Sequence, residues 1–327
     1  MKRETDVCYM IVHVDDILVV SNNPELIENF KNHIGKLFEV KDMGNVKHFL
    51  GIDVKRDEDG NFQISQRQYI EKVVEEAGLN DGKVSKYPLM TGYFRHHDEN
   101  YLESNNEYRK LIGKLLYIST NTRPDIAASV GILSQKISKP TKTDLIEVRR
   151  IIRYLNGTKN LSLKLSDKNE IGNLEVYSDA SWAEDSVDRK STSGFICRIN
   201  GGTVSWSSRK QDIVALSSME AEYIALSESC KEAKWIKMLT HSFYEFVVPD
   251  KVILYTDSQS SMKLISNQKF SNRSKHIDTK YHYVKQLVDL EEIDLKYCST
   301  EINIADMMTK PLGSIKLKKF TSDCGLK

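Results

Sequence analysis

The sequence has few of the features that mark secreted, zinc-binding or membrane-embedded proteins. Its five cysteines are odd in number and scattered, and no two are spaced as Cys-x-x-Cys, so neither a disulfide framework nor a zinc site is indicated. The N-terminus has no signal-peptide pattern, and the apolar run 9–20 is interrupted by His13, Asp15 and Asp16. These absences favour a reducing, intracellular compartment and give no indication of a membrane partner.

The sequence also has no excess of one charge, because 47 basic residues face 46 acidic ones and the net charge is +1. The distribution of charge is less even. One stretch contains six basic residues and a single acid, Asp278; its basic members are Lys263, Lys269, Arg273, Lys275, Lys280 and Lys285. A second basic cluster comprises Lys310, Lys316, Lys318 and Lys319. Each cluster is interpreted either as a solvated surface or as a phosphate-binding face.

A length of 327 residues favours two domains. In the first half, the pattern predicts β-hairpins over 7–21 and 48–66, followed by helices up to residue 155, with a loop or linker over 80–106. The second half begins near Leu174 and predicts three strands, a long amphipathic helix over 218–239, a strand and a short helix, and then helix, strand, helix. This order predicts an α/β (α+β) protein whose second half is a mixed sheet flanked by helices.

Four acids of the second half fall at strand ends or near helix starts. They are Asp179, Glu222, Asp257 and Asp306. Such positions lie at one edge of a sheet, where the side chains can converge. Converging carboxylates repel each other unless hard cations neutralise them, and Mg²⁺ prefers oxygen ligands of this kind. Two such ions about 4 Å apart can activate a water and stabilise the leaving oxygen of a phosphodiester.

The second half resembles ribonuclease H, specifically the domain at the end of the Pol polyprotein of copia-type retrotransposons. The matching strings are YSDASWAEDSVDRKSTSG, SWSSRKQ, SSMEAEYIALSESCKEAKWI, TDSQS, RSKHIDTKYHYV and NIADMMTKPL. The resemblance implies that Asp179, Glu222, Asp257 and Asp306 are both catalytic residues and metal ligands. Glu220 is a close neighbour of Glu222, but Glu222 occupies the helix register of the family's glutamate.

The same resemblance implies a reaction, a cofactor and a partner. The reaction is hydrolysis of the RNA strand of an RNA–DNA hybrid with two Mg²⁺ or Mn²⁺ ions, and the hybrid is recognised by shape, phosphates and 2′-hydroxyls. Arg273, Lys275 and Lys280 flank a predicted helix that should lie near the acidic site, so their charges make them candidates to bind hybrid phosphates. Many ribonucleases H have a histidine just before the last acid, which this sequence lacks; His276 and His282 are possible substitutes or ordinary structural residues.

The first half resembles the reverse transcriptase of the same polyprotein. The string VHVDDILVV is similar to the polymerase aspartate pair and places Asp15 and Asp16 at the tip of the palm hairpin, as an incomplete metal-binding set. The other matching strings are HFLGIDV, TRPDIAASVGILSQ and RRIIRYLNGTKN. The fingers and the strand with the first metal-binding aspartate are expected before Met1, so polymerase activity is expected only in the full-length polyprotein.

The predicted domains are therefore a partial reverse transcriptase (palm hairpin, thumb and connection) over 1–165, a ribonuclease H-like domain over 172–313 and a basic tail over 314–327. The remainder of the Pol polyprotein is an expected partner. The expected location is the cytoplasm, the nucleus or, for a working element, a virus-like particle.

Two other interpretations are open at this point. The first is a catalytically silent, nucleic-acid-binding remnant of a transposable element, which a metal-dependent cleavage assay separates from the nuclease. The second is an integrase or transposase, which can share the sheet architecture. The order Asp, Glu, Asp, Asp, with the glutamate on the first long helix, argues against the second.

Overall fold

The computed structural model describes residues 6–58, 60–95, 98–165, 173–243, 251–266 and 278–327. The described strands form three sheets of two, four and five strands, and helices pack around them. The predicted mixed α/β class is confirmed.

The N-terminal hairpin has its turn at the predicted acidic tip. Strands β1 (Cys8–His13) and β2 (Asp16–Ser21) pair in antiparallel fashion, and His13 lies opposite Asp16. The two-residue turn begins at Val14, whose φ is 53°. The hairpin exposes much of its apolar surface: Met10, Ile11 and Val12 are 52%, 55% and 58% exposed. Helix α1 (Pro24–Ile34) follows and buries no residue.

Beyond α1, the described part of the first half contains a small antiparallel sheet and four α-helices. The strand order is β3-β4-β5-β6, with bounds His48–Phe49, Ile52–Arg56, Phe62–Ser65 and Leu163–Lys164. The helices are α2 (Arg67–Glu76), α3 (Asn106–Asn121), α4 (Ala127–Ser134) and α5 (Lys142–Gly157). The described part of the predicted loop over 80–106 is irregular apart from a short 3-10 helix, Tyr93–Arg95, and the first residue of α3. It is nevertheless packed on the core, because Leu89 and Tyr93 are buried.

A buried ion pair joins the start of α4 to the end of α5. Arg123 donates through Nε and Nη2 to the two carboxylate oxygens of Asp125, at 2.9 and 2.7 Å. The Tyr154 hydroxyl donates to the same carboxylate at 2.6 Å, and Arg123 also donates to the carbonyl and hydroxyl oxygens of Thr158. Arg123 and Asp125 are almost completely buried, so this network fixes the relative position of the two helices.

The second half is built on a five-stranded sheet with the order β11-β10-β7-β8-β9. Its strands are β7 (Leu174–Ser181), β8 (Thr192–Ile199), β9 (Gly202–Lys210), β10 (Val252–Thr256) and β11 (Ile293–Tyr297). Strands β7, β8 and β9 pair in antiparallel fashion, whereas β10 runs parallel to both β7 and β11. The predicted mixed sheet is therefore confirmed.

Helices cover this sheet. They are α6 (Ser218–His241), α7 (Gln259–Ser266) and α8 (Asp278–Asp289). The long α6 begins at Ser218, where its start was predicted. It buries Tyr223, Leu226 and Cys230 against the sheet. No helix among the described residues combines the length and the apolar character needed to cross a membrane.

The C-terminal segment is folded against both halves of the chain. A single helical turn, α9 (Asp306–Thr309), precedes α10 (Ser314–Asp323). The residues predicted as a basic tail therefore form mainly a helix, with Leu317 and Phe320 buried. Beyond it, the Lys164 amide donates to the Gly325 carbonyl, and the Thr203 hydroxyl donates to the Cys324 carbonyl. The predicted boundaries between 1–165, 172–313 and 314–327 stay predictions.

One hydrophobic core extends through both halves. Its first-half members come from α2 to α5 and include Leu115, Val130 and Ile151. The same cluster contains residues of β8, the loop before α9, α9 itself and the C-terminal segment, namely Ile196, Ile304, Met307, Met308, Leu312, Leu317, Phe320, Cys324 and Leu326. A second cluster fills the space between the sheet and α6, α7 and α8. The two halves of the sequence thus share apolar packing.

Candidate active site

Three of the four predicted acids lie together at one edge of the five-stranded sheet. Asp179 is near the end of β7, and Asp257 directly follows β10. These strands are parallel neighbours, so their carboxyl ends meet at the same edge. Glu222 reaches this edge from the second turn of α6. One carboxylate oxygen from each of Asp179, Glu222 and Asp257 lies within 4.8 Å of the other two.

Glu220 and Glu222 lie near the start of α6 but have different partners. Ser217 is the N-cap residue, and its hydroxyl accepts a hydrogen bond from the Glu220 amide at 3.2 Å. The Glu220 carboxylate accepts one from the Leu216 amide at 2.7 Å. Glu220 therefore satisfies an otherwise unpaired amide at the helix start, while Glu222 faces the other acids.

Hydroxyl and amide groups from the segment before and within α9 hold the strand ends. The Thr309 hydroxyl donates to Asp179 Oδ2, and the Thr300 hydroxyl donates to Asp257 Oδ2. The Asn303 side-chain amide donates to the Ser178 carbonyl at 3.0 Å. The sequence alone did not predict a role for these residues. For Thr309 a signal was present, because it follows Asp306 by three residues and so lies on the same side of a helix.

Burial and mutual repulsion make the site unfavourable for the charged forms of its acids. Asp179 is only 3% exposed, and burial followed by the nearby Asp306 carboxylate raises its pKa to about 7. Burial, then Asp179 and Asp257, raises the pKa of Glu222 to about 9. Raised pKa values of this kind indicate that the fold holds the carboxylates together against desolvation and charge repulsion. A bound cation would offset both effects.

Asp306 lies beside this group but outside the three-carboxylate cluster. Its side chain is fully buried, and its two oxygens form ion pairs with Lys310 and Lys316, the latter at 2.9 Å. Burial opposes the charge of Lys310, but Asp179 and Asp306 outweigh this effect and raise its pKa. In this structure Asp306 is therefore neutralised by lysines, and its role as a metal ligand stays a prediction.

The donor set fits a hard divalent cation. Asp179, Glu222 and Asp257 supply only carboxylate oxygens, which are the ligands that Mg²⁺ and Mn²⁺ prefer. Glu222 Oε2 is buried and has no hydrogen-bond partner among the described residues. A buried, unpartnered anionic oxygen is costly, and coordination to a cation would satisfy it. These three residues would hold the ion.

The remaining predicted site residues are not part of this cluster. Asp15 and Asp16 are exposed at the hairpin turn, and no third acid, histidine or cysteine joins them as a metal-binding group within the described residues. Lys280 is partly buried on α8, and His282 is exposed on the same helix. Arg273, Lys275 and His276 lie outside the described residues.

Comparison with known proteins gives matches to both halves of the chain. The family described as "Reverse transcriptase (RNA-dependent DNA polymerase)" matches residues 3–91. The retrovirus-related Pol polyprotein from transposon RE1 of Arabidopsis thaliana is 35% identical over 328 residues, which cover 100% of this chain and 22% of the polyprotein. The chain thus spans less than a quarter of that relative.

A shorter relative is covered over most of its length. The putative transposon Ty5-1 protein of Saccharomyces cerevisiae is 33% identical over 226 residues, which cover 68% of this chain and 73% of that protein. Among solved structures, ribonuclease H1 from Halobacterium salinarum aligns with 42% of this chain and 95% of its own, at 18% identity and a TM-score of 0.33. On the sequence matches, the chain belongs to the retrovirus-related Pol polyproteins of copia-type transposons.

Proposed function

We propose that this chain hydrolyses the RNA strand of RNA–DNA hybrids at the site formed by Asp179, Glu222 and Asp257, with Asp306 as a fourth acid. The observation that supports this most is the approach of three carboxylate oxygens to within 4.8 Å of one another, one from the buried Asp179 and one each from the half-buried Glu222 and Asp257, although their charges repel. An arrangement of this kind is stabilised by divalent cations, and Mg²⁺ or Mn²⁺ are the proposed cofactors, with two ions in the complete site.

The residues of the chain have separate tasks in this proposal. When bound, the divalent ions supply Lewis-acid stabilisation of the negative charge that develops on the phosphodiester oxygens. Asp179, fixed by the Thr309 hydroxyl, and Asp257, fixed by the Thr300 hydroxyl, hold their oxygens in one position. Glu222 completes the set from α6, and its unpartnered Oε2 is available for coordination. Preorganised ligands of this kind avoid reorganisation during the reaction.

The proposed substrate is an RNA–DNA hybrid read through its shape, its phosphates and its 2′-hydroxyls. Arg273, Lys275 and Lys280 are the proposed phosphate contacts. The remainder of the Pol polyprotein is a proposed partner, in the cytoplasm, the nucleus or a virus-like particle, and DNA polymerisation with Asp15 and Asp16 is proposed for that longer protein.

The test is cleavage of a labelled RNA–DNA hybrid by the purified chain, with Mg²⁺ or Mn²⁺ and with a chelator. We expect cleavage only with metal, and we expect Asp179→Asn and Asp257→Asn to lower the rate by several orders of magnitude. Asp212→Asn is the matched control, because Asp212 is 87% exposed and pairs only loosely with Arg209 at 3.9 Å. A folded wild-type chain that binds hybrid but is inert with both metals would instead identify a binding-only remnant.

A further inference from the structure

The C-terminal helix brings a second cation to Asp306. Lys310 pairs with Oδ1 of this carboxylate, and Lys316, on α10, pairs with Oδ2 at 2.9 Å. Asp306 is fully buried, whereas Lys316 is 28% exposed. Solvent and salt therefore screen this pair less than a surface pair, and the ammonium contributes strongly to the local potential.

The position of Lys316 is fixed by the packing of α10. The next residue, Leu317, and Phe320 one turn further on are buried in the core shared with the first half. The Lys316 ammonium also lies 5.3 Å from the centroid of the Phe320 ring, at cation–π distance. The Cys324 carbonyl, just past the helix, accepts from the Thr203 hydroxyl of β9. Lys316 is thus presented by a well-anchored helix.

The charges explain what this lysine does to the site. Asp179, Glu222, Asp257 and Asp306 have a combined charge of about −4 when ionised, and Lys310 and Lys316 supply two positive charges beside the fourth acid. Both oxygens of Asp306 form ion pairs with ammonium groups, whereas Glu222 in the three-carboxylate cluster forms no ion pair among the described residues. A divalent cation that enters the site therefore finds the three-carboxylate cluster without a paired lysine in the described part of the chain, whereas Asp306 is already paired with two lysines.

We propose that Lys316 is a built-in counter-cation of Asp306, which weakens the binding of a divalent ion at the Asp306 side of the site. The inference rests on the proposed function in one respect, since it takes the acidic site to bind divalent ions. An ion that approaches Asp306 has to displace an ammonium or share an oxygen with it, and it is also repelled by the positive charge. Lys316 acts through Asp306 and is a positioning residue.

The experiment measures Mn²⁺ binding to the full chain by isothermal titration calorimetry, without nucleic acid. Lys316→Met keeps the alkyl stem against Phe320 and removes the charge, and we expect it to tighten the weaker Mn²⁺ binding step about tenfold. In chelator the same variant should melt about 2 °C or more below wild type, because Asp306 loses a partner while buried. Lys316→Arg retains the charge and should resemble wild type.

The matched control is Lys318→Met, a lysine on the same helix whose side chain is exposed. It should leave Mn²⁺ affinity and chelator stability unchanged. Folding of each variant is checked by circular dichroism, and Lys316→Gln serves as a second neutral variant if the methionine variant does not fold. A folded neutral variant with unchanged or weaker Mn²⁺ binding would overturn the counter-cation role.

The two proposals fail in different ways. If wild type binds Mn²⁺ and cleaves hybrid while Lys316→Met binds Mn²⁺ no more tightly, only the counter-cation role is wrong. If neither wild type nor Lys316→Met binds Mn²⁺, both proposals are wrong. If Lys316→Met binds Mn²⁺ more tightly while the wild-type chain cleaves no hybrid, the counter-cation role holds and the nuclease does not.

Discussion

Gly194 on β8 lies directly against α9, and a Cβ at this position would approach the Met308 Cβ to 2.5 Å. It would also meet Thr309 Cγ2 at 2.8 Å and the Ala305 carbonyl oxygen at 3.2 Å. The missing side chain is therefore what allows α9 to rest on the sheet. Because α9 contains both Asp306 and Thr309, Gly194 determines how close to the sheet these two residues lie. The Thr309 hydroxyl is the group that donates to Asp179.

Gly194→Ala should lower both stability and hybrid cleavage. The added methyl group must push α9 outward, and overpacking of this kind costs about 1–3 kcal/mol. We expect a lower midpoint in urea denaturation and a cleavage rate reduced by at least about tenfold, since small displacements of positioning groups have large effects on rate. Gly113→Ala is the control, because nothing lies within 4 Å of a Cβ there and the site is inside α3. A Gly194→Ala protein with wild-type stability and rate would show that α9 adjusts freely.

The stability of the metal-free protein should fall as pH rises. The folded-state pKa values of Asp179 and Glu222 are raised to about 7 and about 9, from ordinary values of 3.8 and 4.5. A group whose pKa is raised on folding stabilises the folded state fully at pH values below its unfolded-state pKa. This stabilisation is lost as the pH rises through the folded-state pKa. The loss therefore accumulates between pH of about 4 and about 9.

Glu222→Gln tests this expectation in chelator. The variant lacks the buried charge, so its melting temperature relative to wild type should rise across this pH range, by about 2 °C or more at the alkaline end. Glu228→Gln on the same helix is the control, because the Glu228 side chain lies outside the three-carboxylate cluster. A Glu222→Gln difference that does not change with pH would show that the folded carboxyl has an ordinary pKa.

Arg123→Met should destabilise the chain by about 3–5 kcal/mol, because it leaves the Asp125 carboxylate buried without its cation. Tyr154→Phe removes a single hydrogen bond from the same network and should cost about 1 kcal/mol. Denaturation in urea measures both changes. Arg149→Met is the matched control, since Arg149 pairs with Glu107 at a site where both side chains are more than 40% exposed. Equal effects of the Arg123 and Arg149 substitutions would contradict the importance of the buried pair.

Arg273, Lys275 and Lys280 together should set part of the salt dependence of hybrid binding. Replacing all three with Gln should weaken binding and flatten the plot of log affinity against log salt, by about one slope unit or slightly less per lost phosphate contact. Lys318→Gln serves as a control on α10. Binding is measured in Ca²⁺ or chelator to prevent cleavage, and an unchanged slope would identify the three as ordinary solvated charges.

The sequence predicted those parts of the site that depend on local structure. Asp179 and Asp257 were placed correctly at strand ends because alternation and strand length are local properties. The choice of Glu222 over Glu220 came from the family resemblance rather than from periodicity. The pairing of Asp306 with Lys316 could not be predicted in this way, because it depends on how α10 packs against helices of the first half. A basic cluster near the C-terminus does not reveal which of its lysines faces inward.

The core that contains Leu115 and Ile151 of the first half together with Ile196, Met308 and Phe320 of the second has a consequence for inheritance. Exchange of segments between related chains is least damaging where each exchanged piece keeps its own core. A crossover between residues 165 and 172 would join the first half of one chain to the second half of another. Met308 and Phe320 would then pack against first-half side chains from a different sequence. The two halves of the chain are therefore expected to be inherited as one block.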